Sequence, residues 1–277
     1  MKIVFKMFLL VLFTIFSFFY TERVVNLSRN KDIIMQQIKI QKSKKEVQPI
    51  NGVVESNTIL VGVSGKTIDI ESSYEKMKRI KNYNEILLEY VDVKPLITKD
   101  ENYERLIIGS ATDKKNISLV FLTNDINKIK QIVYICNKNN VPVTFFVDSK
   151  LLENNLLVMK DLFNKNISLG LYSYNSVFDN VSTKYVKRFL SKNFKYSNYC
   201  LYKDNWFLKA CSFYKINTIK PVLIEKYVYS YLKNNKKPGK MYLIKANENN
   251  IKELNTLIIY LKEKGYKIVS IDDLLKE

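Results

Sequence analysis

Apolar and polar positions in the second half of this chain follow two alternating periods. Three runs are apolar almost throughout: Ile117–Leu122, Pro142–Val147 and Ile167–Tyr172, beginning at 117, 142 and 167. Short, continuous apolar runs of this kind fit strands buried on both faces. Between the first two, Ile126, Ile129, Val133 and Cys136 recur at the spacing of one helical face. Between the next two, Leu151, Leu152, Met159, Leu162 and Phe163 predict a second helix. The alternation continues with helices over 182–191 and 205–215, a strand near 216–223, a helix over 224–234 and a strand at Met241–Lys245. A helix over 249–264 follows, with Ile251, Leu254, Ile258 and Leu261 on one face, then a strand at Tyr266–Ile271 and a short terminal helix. Strand–helix–strand units build a parallel sheet through right-handed crossovers. This series over residues 116–277 predicts an α/β fold, a small, distorted (β/α) barrel.

The first half is patterned differently. Lys2 and Lys6 precede an apolar run, Met7–Tyr20, with no small-x-small site after it, since Thr21, Glu22 and Arg23 follow. This predicts an uncleaved signal-anchor over residues 1–20, the alternative being a cleaved signal peptide with an unusual site. Residues 21–50 are polar and Lys-rich and read as a juxtamembrane stalk, partly helical around Ile33–Ile40. Residues 51–115 read as a small α+β module. In it, Thr58–Val63 and Lys66–Ile70 surround the turn dipeptide Ser64-Gly65, which predicts a hairpin. Ser72 and Glu75 have capping-box spacing and predict a helix from there through Ile80. Leu87–Val93 and Arg105–Ile108 are further strand candidates.

Composition and charge narrow the function. The chain of 277 residues is 47% hydrophobic and 13% aromatic, enough for a substantial core. Its net charge of +18 comes from 40 Lys and only 5 Arg. That balance attracts anionic partners. Abundant Lys, Asn, Ile and Tyr also mark the product of an AT-rich genome, in which Lys fills solvated faces. Arg, the residue suited to bidentate phosphate and base readout, is scarce, so no nucleic-acid partner is expected. Cys136, Cys200 and Cys211 form no Cys-x-x-Cys motif. Cys136 lies on a predicted apolar helix face, and Cys200 and Cys211 are free to pair in an oxidising compartment. There is no His at all, which excludes Ser-His-Asp and Cys-His catalysis.

Over residues 115–277 the order of segments resembles the polysaccharide deacetylase (NodB homology) family. Val141–Val147 is similar to the family's Ala-Thr-Phe-Phe-Val strand, Asn166–Asn175 to its Gly-His-Glu-Ile-Gly-Asn-His-Ser strand, and Lys264–Leu275 to its C-terminal strand and helix. The resemblance implies metal-assisted removal of acetyl groups from N-acetylated sugars. In that chemistry an Asp and two His hold a divalent metal and a neighbouring Asp activates water. Here Leu122 and Thr123 stand where the paired Asp belong, with Asp125 two residues late. The His-Ser-x-x-His motif reads Tyr172-Ser173-Tyr174-Asn175-Ser176. Tyr199-Cys200-Leu201-Tyr202 stands for Arg-x-Pro-Tyr, and Ile244-Lys245 for Leu-His. The expectation is therefore no catalytic residue, no metal and no cofactor. Asp125, Asp148 and Asp179 as an oxygen-only cation site, and Ser173 or Ser176 with Lys245 as a Ser–Lys pair, are weaker alternatives to solvated or capping side chains.

Ligands of parallel α/β folds bind at the C-terminal strand ends. Those ends carry Thr123, Asp125, Tyr172, Tyr174, Tyr202 and Lys245, with Trp206, the one tryptophan, close by. This set is the candidate glycan groove. The competing reading is that its aromatics fill the space of the lost metal site. The expected protein is a polysaccharide deacetylase-like, catalytically inactive protein of a low-GC bacterium. It would sit in the cell membrane as a single-pass protein, most of the chain extracytoplasmic, and bind cell-wall glycan such as peptidoglycan or an anionic envelope polymer. The alternatives are an active carbohydrate deacetylase with a displaced site and a structural partner in an envelope or sporulation complex.

Overall fold

The computed structural model describes residues 2–163 and 166–277. Met1, Asn164 and Lys165 lie outside the described residues, as do the side chains of Lys2 and Lys6 that precede the apolar run. Helices α1 (Lys2–Lys31) and α2 (Ile33–Lys45) precede strands β1 (Val53–Glu55), β2 (Thr58–Val61) and β3 (Gly65–Asp69), helix α3 (Ile70–Ile80), and strands β4 (Glu89–Val93) and β5 (Leu106–Ser110). Then come β6 (Asn116–Leu122), α4 (Ile126–Lys138), β7 (Val143–Phe146), α5 (Ser149–Asn154), α6 (Leu156–Leu162), β8 (Ile167–Leu171) and α7 (Asn180–Asn193). They are followed by β9 (Tyr196–Leu201), α8 (Asn205–Phe213), β10 (Asn217–Ile219), β11 (Val222–Ile224) and α9 (Val228–Asn235). The chain ends with β12 (Met241–Lys245), α10 (Glu248–Glu263), β13 (Lys267–Ile268) and α11 (Ile271–Leu274).

Contacts divide the chain differently from the linear order expected above. Residues up to Gln48 group with Gly65–Val93, and Pro49–Ser64 groups with Lys94–Glu277. In the first unit, Leu10–Lys31 of α1 is long and apolar enough to cross a membrane. Helix α2 buries Met35 and Ile38 against Ile68, Tyr74, Met77 and Leu88. Its cap Asp32 accepts the Ile34 amide at 2.8 Å and the Tyr74 hydroxyl at 2.9 Å. Residues 33–45 therefore belong to a packed core rather than to a solvated stalk. Helix α3 starts at Ile70, ahead of the predicted capping box, because Asp69 caps it by accepting the Ser72 amide at 3.0 Å and the Ser72 hydroxyl at 2.6 Å. The hairpin predicted around Ser64-Gly65 does not form. Strand β3 pairs with β4 and β2 with β1 and β5. The apolar side chains explain it: Ile68 joins the core of the first unit, whereas Ile59 and Val61 are buried in the second.

In the second unit the strands run in the order β1-β2-β5-β10-β9-β8-β7-β6-β12-β11, with β13 on β6. Every neighbouring pair from β2 to β11 is parallel and only β1 is antiparallel. This is the expected distorted α/β barrel, in which the sheet curls without β1 and β11 pairing. Segments 58–61 and 106–110, read from sequence as part of a separate module, extend the sheet beyond β10. Pro221 separates β10 from β11, so the single strand predicted near 216–223 becomes two that pair on different sides of the sheet. The helix predicted through Leu151–Phe163 breaks at Asn155 into α5 and α6.

Alternation within each strand sorts the core into two faces. On β6, Leu119 and Phe121 pack toward the helices with Phe145, Leu169 and Tyr242. Val120 and Leu122 face the barrel interior with Phe146, Tyr199, Leu201 and Met241. Helix α11 adds Ile271 and Leu274 to that interior cluster. Gly170 leaves room there for the Phe146 ring, into which a Cβ would run.

Candidate functional site

The parallel strands of the sheet all end on one side, and the sequence of each loop there decides what it presents. After β6, Thr123 accepts the Asp125 amide at 3.2 Å, and Asp125 caps α4 by accepting the amides of Asn127 at 2.9 Å and Lys128 at 3.3 Å. Asn124 between them takes the Asp148 amide on its side-chain oxygen at 2.9 Å, joining the β6 and β7 loops. Asp179 caps α7, accepting the Ser182 amide at 2.7 Å. Two of the three carboxylates weighed as cation ligands thus serve chiefly as helix caps.

The third, Asp148, organises the loop that stands for His-Ser-x-x-His. It is buried, with 6% of its surface exposed. Its carboxylate accepts the Ser173 hydroxyl at 2.5 Å, the Ser176 amide at 2.7 Å, the Asn175 amide at 2.9 Å and the Lys150 amide at 3.0 Å. Burial alone would raise its pKa. The Ser173 hydroxyl and the Ser176, Asn175 and Lys150 amides together outweigh that and hold it below the usual carboxylate value. Asn175 and Ser176 both lie in the left-handed region, at φ 50° and 63°. That conformation costs about 1–2 kcal/mol per residue. It turns two successive amides onto one anion, and the Asp148 bonds offset the cost.

Tyr172 takes the position of the first lost histidine and packs half-buried on the interior cluster with Leu122. Its ring meets Phe178 edge-on at 5.1 Å, and Phe178 meets Phe207 of α8 the same way at 5.1 Å. Burial, with the nearby Asp148 charge, raises the Tyr172 phenol pKa, which favours the neutral phenol. Tyr174 turns toward α5 and α7. Its hydroxyl donates to Glu153 at 3.0 Å and its ring meets Tyr185 at 5.0 Å. Tyr202 donates its hydroxyl to Asn205 at 3.2 Å, with Lys220 5.4 Å over its ring. Lys245 is exposed at the end of β12. Among the described residues no ion pair includes it.

Of the predicted site residues, Tyr172 and Trp206 are brought closest to one feature, an open groove of about 690 Å³ lined by Ser176–Val181, Lys203, Trp206 and Ala210. Trp206 lines it directly and is 81% exposed, and Tyr172 reaches it through Phe178. Phe178 and Lys203 were not singled out from sequence, yet the Lys203 ammonium lies 3.6 Å over the Phe178 ring. No motif marks them, because their proximity depends on the β8–α7 and β9–α8 loops meeting in space. Asp204 caps α8 by accepting the Phe207 amide at 2.9 Å, fixing the turn that carries Trp206. Below, a disulfide joins Cys200 of β9 to Cys211 of α8.

The residues do not fit a catalytic metal. Among the described residues no three of His, Cys, Asp and Glu come together to hold one. The positions that would supply ligands are Leu122, Thr123, Tyr172 and Ser176, and the adjacent Asp148 carboxylate is committed to four donors.

Comparison with known proteins agrees on the fold. No family model matches the chain. A Bacillus subtilis protein named as the uncharacterized protein YlxY is 23% identical over 91% of this chain and 86% of its own length. The solved structure of a family 4 carbohydrate esterase (CE4) pseudoenzyme from Bacillus anthracis superposes with a TM-score of 0.62 at 22% identity, covering 88% of this chain and 95% of that one. Bacillus subtilis PdaA, a family 4 carbohydrate esterase, superposes with a TM-score of 0.55 at 22% identity over 64% of this chain and 87% of its own. The chain thus has the polysaccharide-deacetylase fold in a degenerate form, without the metal-binding His and paired Asp.

Proposed function

We propose that this protein is a catalytically inactive, membrane-anchored envelope protein that holds cell-wall glycan in a groove at the C-terminal ends of its strands. The observation that carries this reading is Trp206, a large ring left 81% exposed on the wall of the groove. A groove walled by aromatic rings, with a few hydrogen-bonding groups beside them, suits the apolar faces of sugar rings. Further support comes from the Leu122, Thr123, Tyr172 and Ser176 substitutions, which leave no ligand set for metal-assisted hydrolysis. The apolar segment of α1 and the Cys200–Cys211 disulfide favour an extracytoplasmic site. The Bacillus anthracis structure of related fold is itself called a pseudoenzyme, which supports the inactive half of this reading.

The test is retention of the full chain, in detergent, on insoluble peptidoglycan across a salt series with chitin oligosaccharides as competitors. Retention that survives salt, yields to the oligosaccharide and falls at least tenfold in Trp206→Ala is expected, about 1.4 kcal/mol. Retention that vanishes smoothly with salt whatever the competitor would mean that the net charge of +18 is the whole attraction. Acetate released from N-acetylglucosamine oligomers would establish the displaced-site deacetylase instead.

A further inference from the structure

The groove beside Trp206 is one side of a larger surface built by α8. Trp206, Lys209 and Phe213 stand at i, i+3 and i+7, on one face of that helix. Both rings are solvent-facing, at 81% and 71% exposure. Seven residues of helix separate them by about 10 Å along the axis. Lys209 stands between them in the helix, its ammonium 5.7 Å over the Trp206 ring. On one flank is the groove with Lys203 and Phe178. On the other is a second open groove, of about 500 Å³, lined by Glu104, Asn205, Leu208, Lys209, Ser212 and Phe213.

The charges on this surface are unbalanced. Among the described residues, no ion pair includes Lys203 or Lys209. The one carboxylate lining the first groove, Asp179, is occupied at the start of α7, where it accepts the Ser182 amide. Two unpaired ammonium groups beside two exposed rings call for a ligand with both apolar faces and negative charge. Asn205 and Ser212 offer hydrogen bonds to hydroxyls between the rings. Glu104 also lines the second groove, which favours a ligand with spaced negative charges over one charged at every unit.

We infer that α8 is a binding platform for a glycan bearing spaced carboxylates, its sugar faces on Trp206 and Phe213 and its carboxylates at Lys203 and Lys209. This rests on the glycan reading above and adds the ligand's charge and a second aromatic contact. Trp206 is the only tryptophan in the chain, so intrinsic fluorescence of the full chain in detergent reads binding at this surface.

The probes are a chitin hexasaccharide, the same hexasaccharide partly carboxymethylated, a glycerol phosphate oligomer and polyaspartate. The carboxymethylated oligomer is expected to bind about tenfold tighter than the neutral one at low salt, a gap of about 1.4 kcal/mol that closes as salt screens the ammonium groups. The double variant Lys203→Gln/Lys209→Gln should bring the two oligomers within about twofold of each other, and Phe213→Ala should weaken both by a similar factor. Equal affinities in the unaltered protein would overturn this inference and leave the glycan reading standing. Tighter binding of polyaspartate or of glycerol phosphate would overturn it in favour of bare charge attraction or a phosphate polymer. Failure of both hexasaccharides to bind would remove the glycan reading as well.

Discussion

Replacing Asp148 should damage the fold more than replacing any exposed residue of the candidate groove. Its carboxylate accepts the Ser173 hydroxyl and the amides of Lys150, Asn175 and Ser176, at 2.5 to 3.0 Å. Hydrogen bonds to a charged group contribute about 1.5–3 kcal/mol each. Asn175 and Ser176 are exposed, so water recovers part of what their amides lose. The Lys150 bond is at the same time the helix cap on α5, so the cap adds nothing further to the sum. Asp148→Ala should therefore cost about 4 kcal/mol. Asp148→Asn, which keeps one acceptor but aims an amide group at donors, should cost about 2 kcal/mol. At about 2–4 °C per kcal/mol for a domain of this size, the alanine variant should unfold about 10 °C lower.

The assay is thermal and urea unfolding of the full chain in detergent, run as a double-mutant cycle with Ser173→Ala. A coupling near 1.5 kcal/mol is expected for the two side chains in contact. Stability should also depend on pH in a stated direction. The folded pKa of Asp148 is depressed, so its contribution is fully present above the unfolded carboxylate value of about 3.9 and is lost as pH falls through the folded value. Asp148→Asn should lack that part of the acid sensitivity. A loss below about 1 kcal/mol in Asp148→Ala, or acid unfolding curves of the same shape in both proteins, would refute the view that this carboxylate holds the 173–176 loop.

Reduction of the Cys200–Cys211 bond, or the double Ser variant, should cost about 3 kcal/mol, given the separation of 11 residues. The loss is read by urea unfolding with and without a thiol reductant, and matched midpoints would count against the crosslink. Gly170→Ala should lower stability by about 2 kcal/mol, because the new methyl meets the Phe146 ring inside the barrel. Gly170→Ala/Phe146→Leu should recover part of that loss. The Cys136 thiol, on the buried face of α4, has its pKa pushed up to about 12 by burial, so iodoacetamide at pH 8 should leave it unmodified until the chain is unfolded. Labelling of Cys136 in the native protein would show that α4 opens.

Much of the barrel was legible because its strands are continuous apolar runs and its helices keep one apolar face. β6, β7, β8 and β12 and the helices α4 and α10 fall where Ile117–Leu122, Pro142–Val147, Ile167–Tyr172, Met241–Lys245 and the Ile129 and Ile258 stripes put them. The hairpin around Ser64-Gly65 was misread because turn chemistry is local, whereas the burial of Ile59 and Ile68 in two separate cores is not. The site was legible as a set of missing groups. The absence of His and the apolar residue at Leu122 remove the family's usual ligand set, and that is visible without coordinates. What the remaining residues do was not legible, since Asp125 and Asp179 as caps and Tyr174 bound to Glu153 depend on which way each side chain turns.

By itself, the sequence determined the parallel α/β core, the apolar segment at its start and the loss of metal ligands. Each of these is a matter of which residue types occur and at what period. Only the tertiary structure decided that β2 and β5 extend the sheet, that Asp148 anchors the Ser173–Ser176 loop, and that Phe178, Lys203 and Trp206 share a groove. Those relations join residues far apart in the chain. They arise from side-chain packing and from hydrogen bonds of buried groups, neither of which leaves a periodic trace along the sequence.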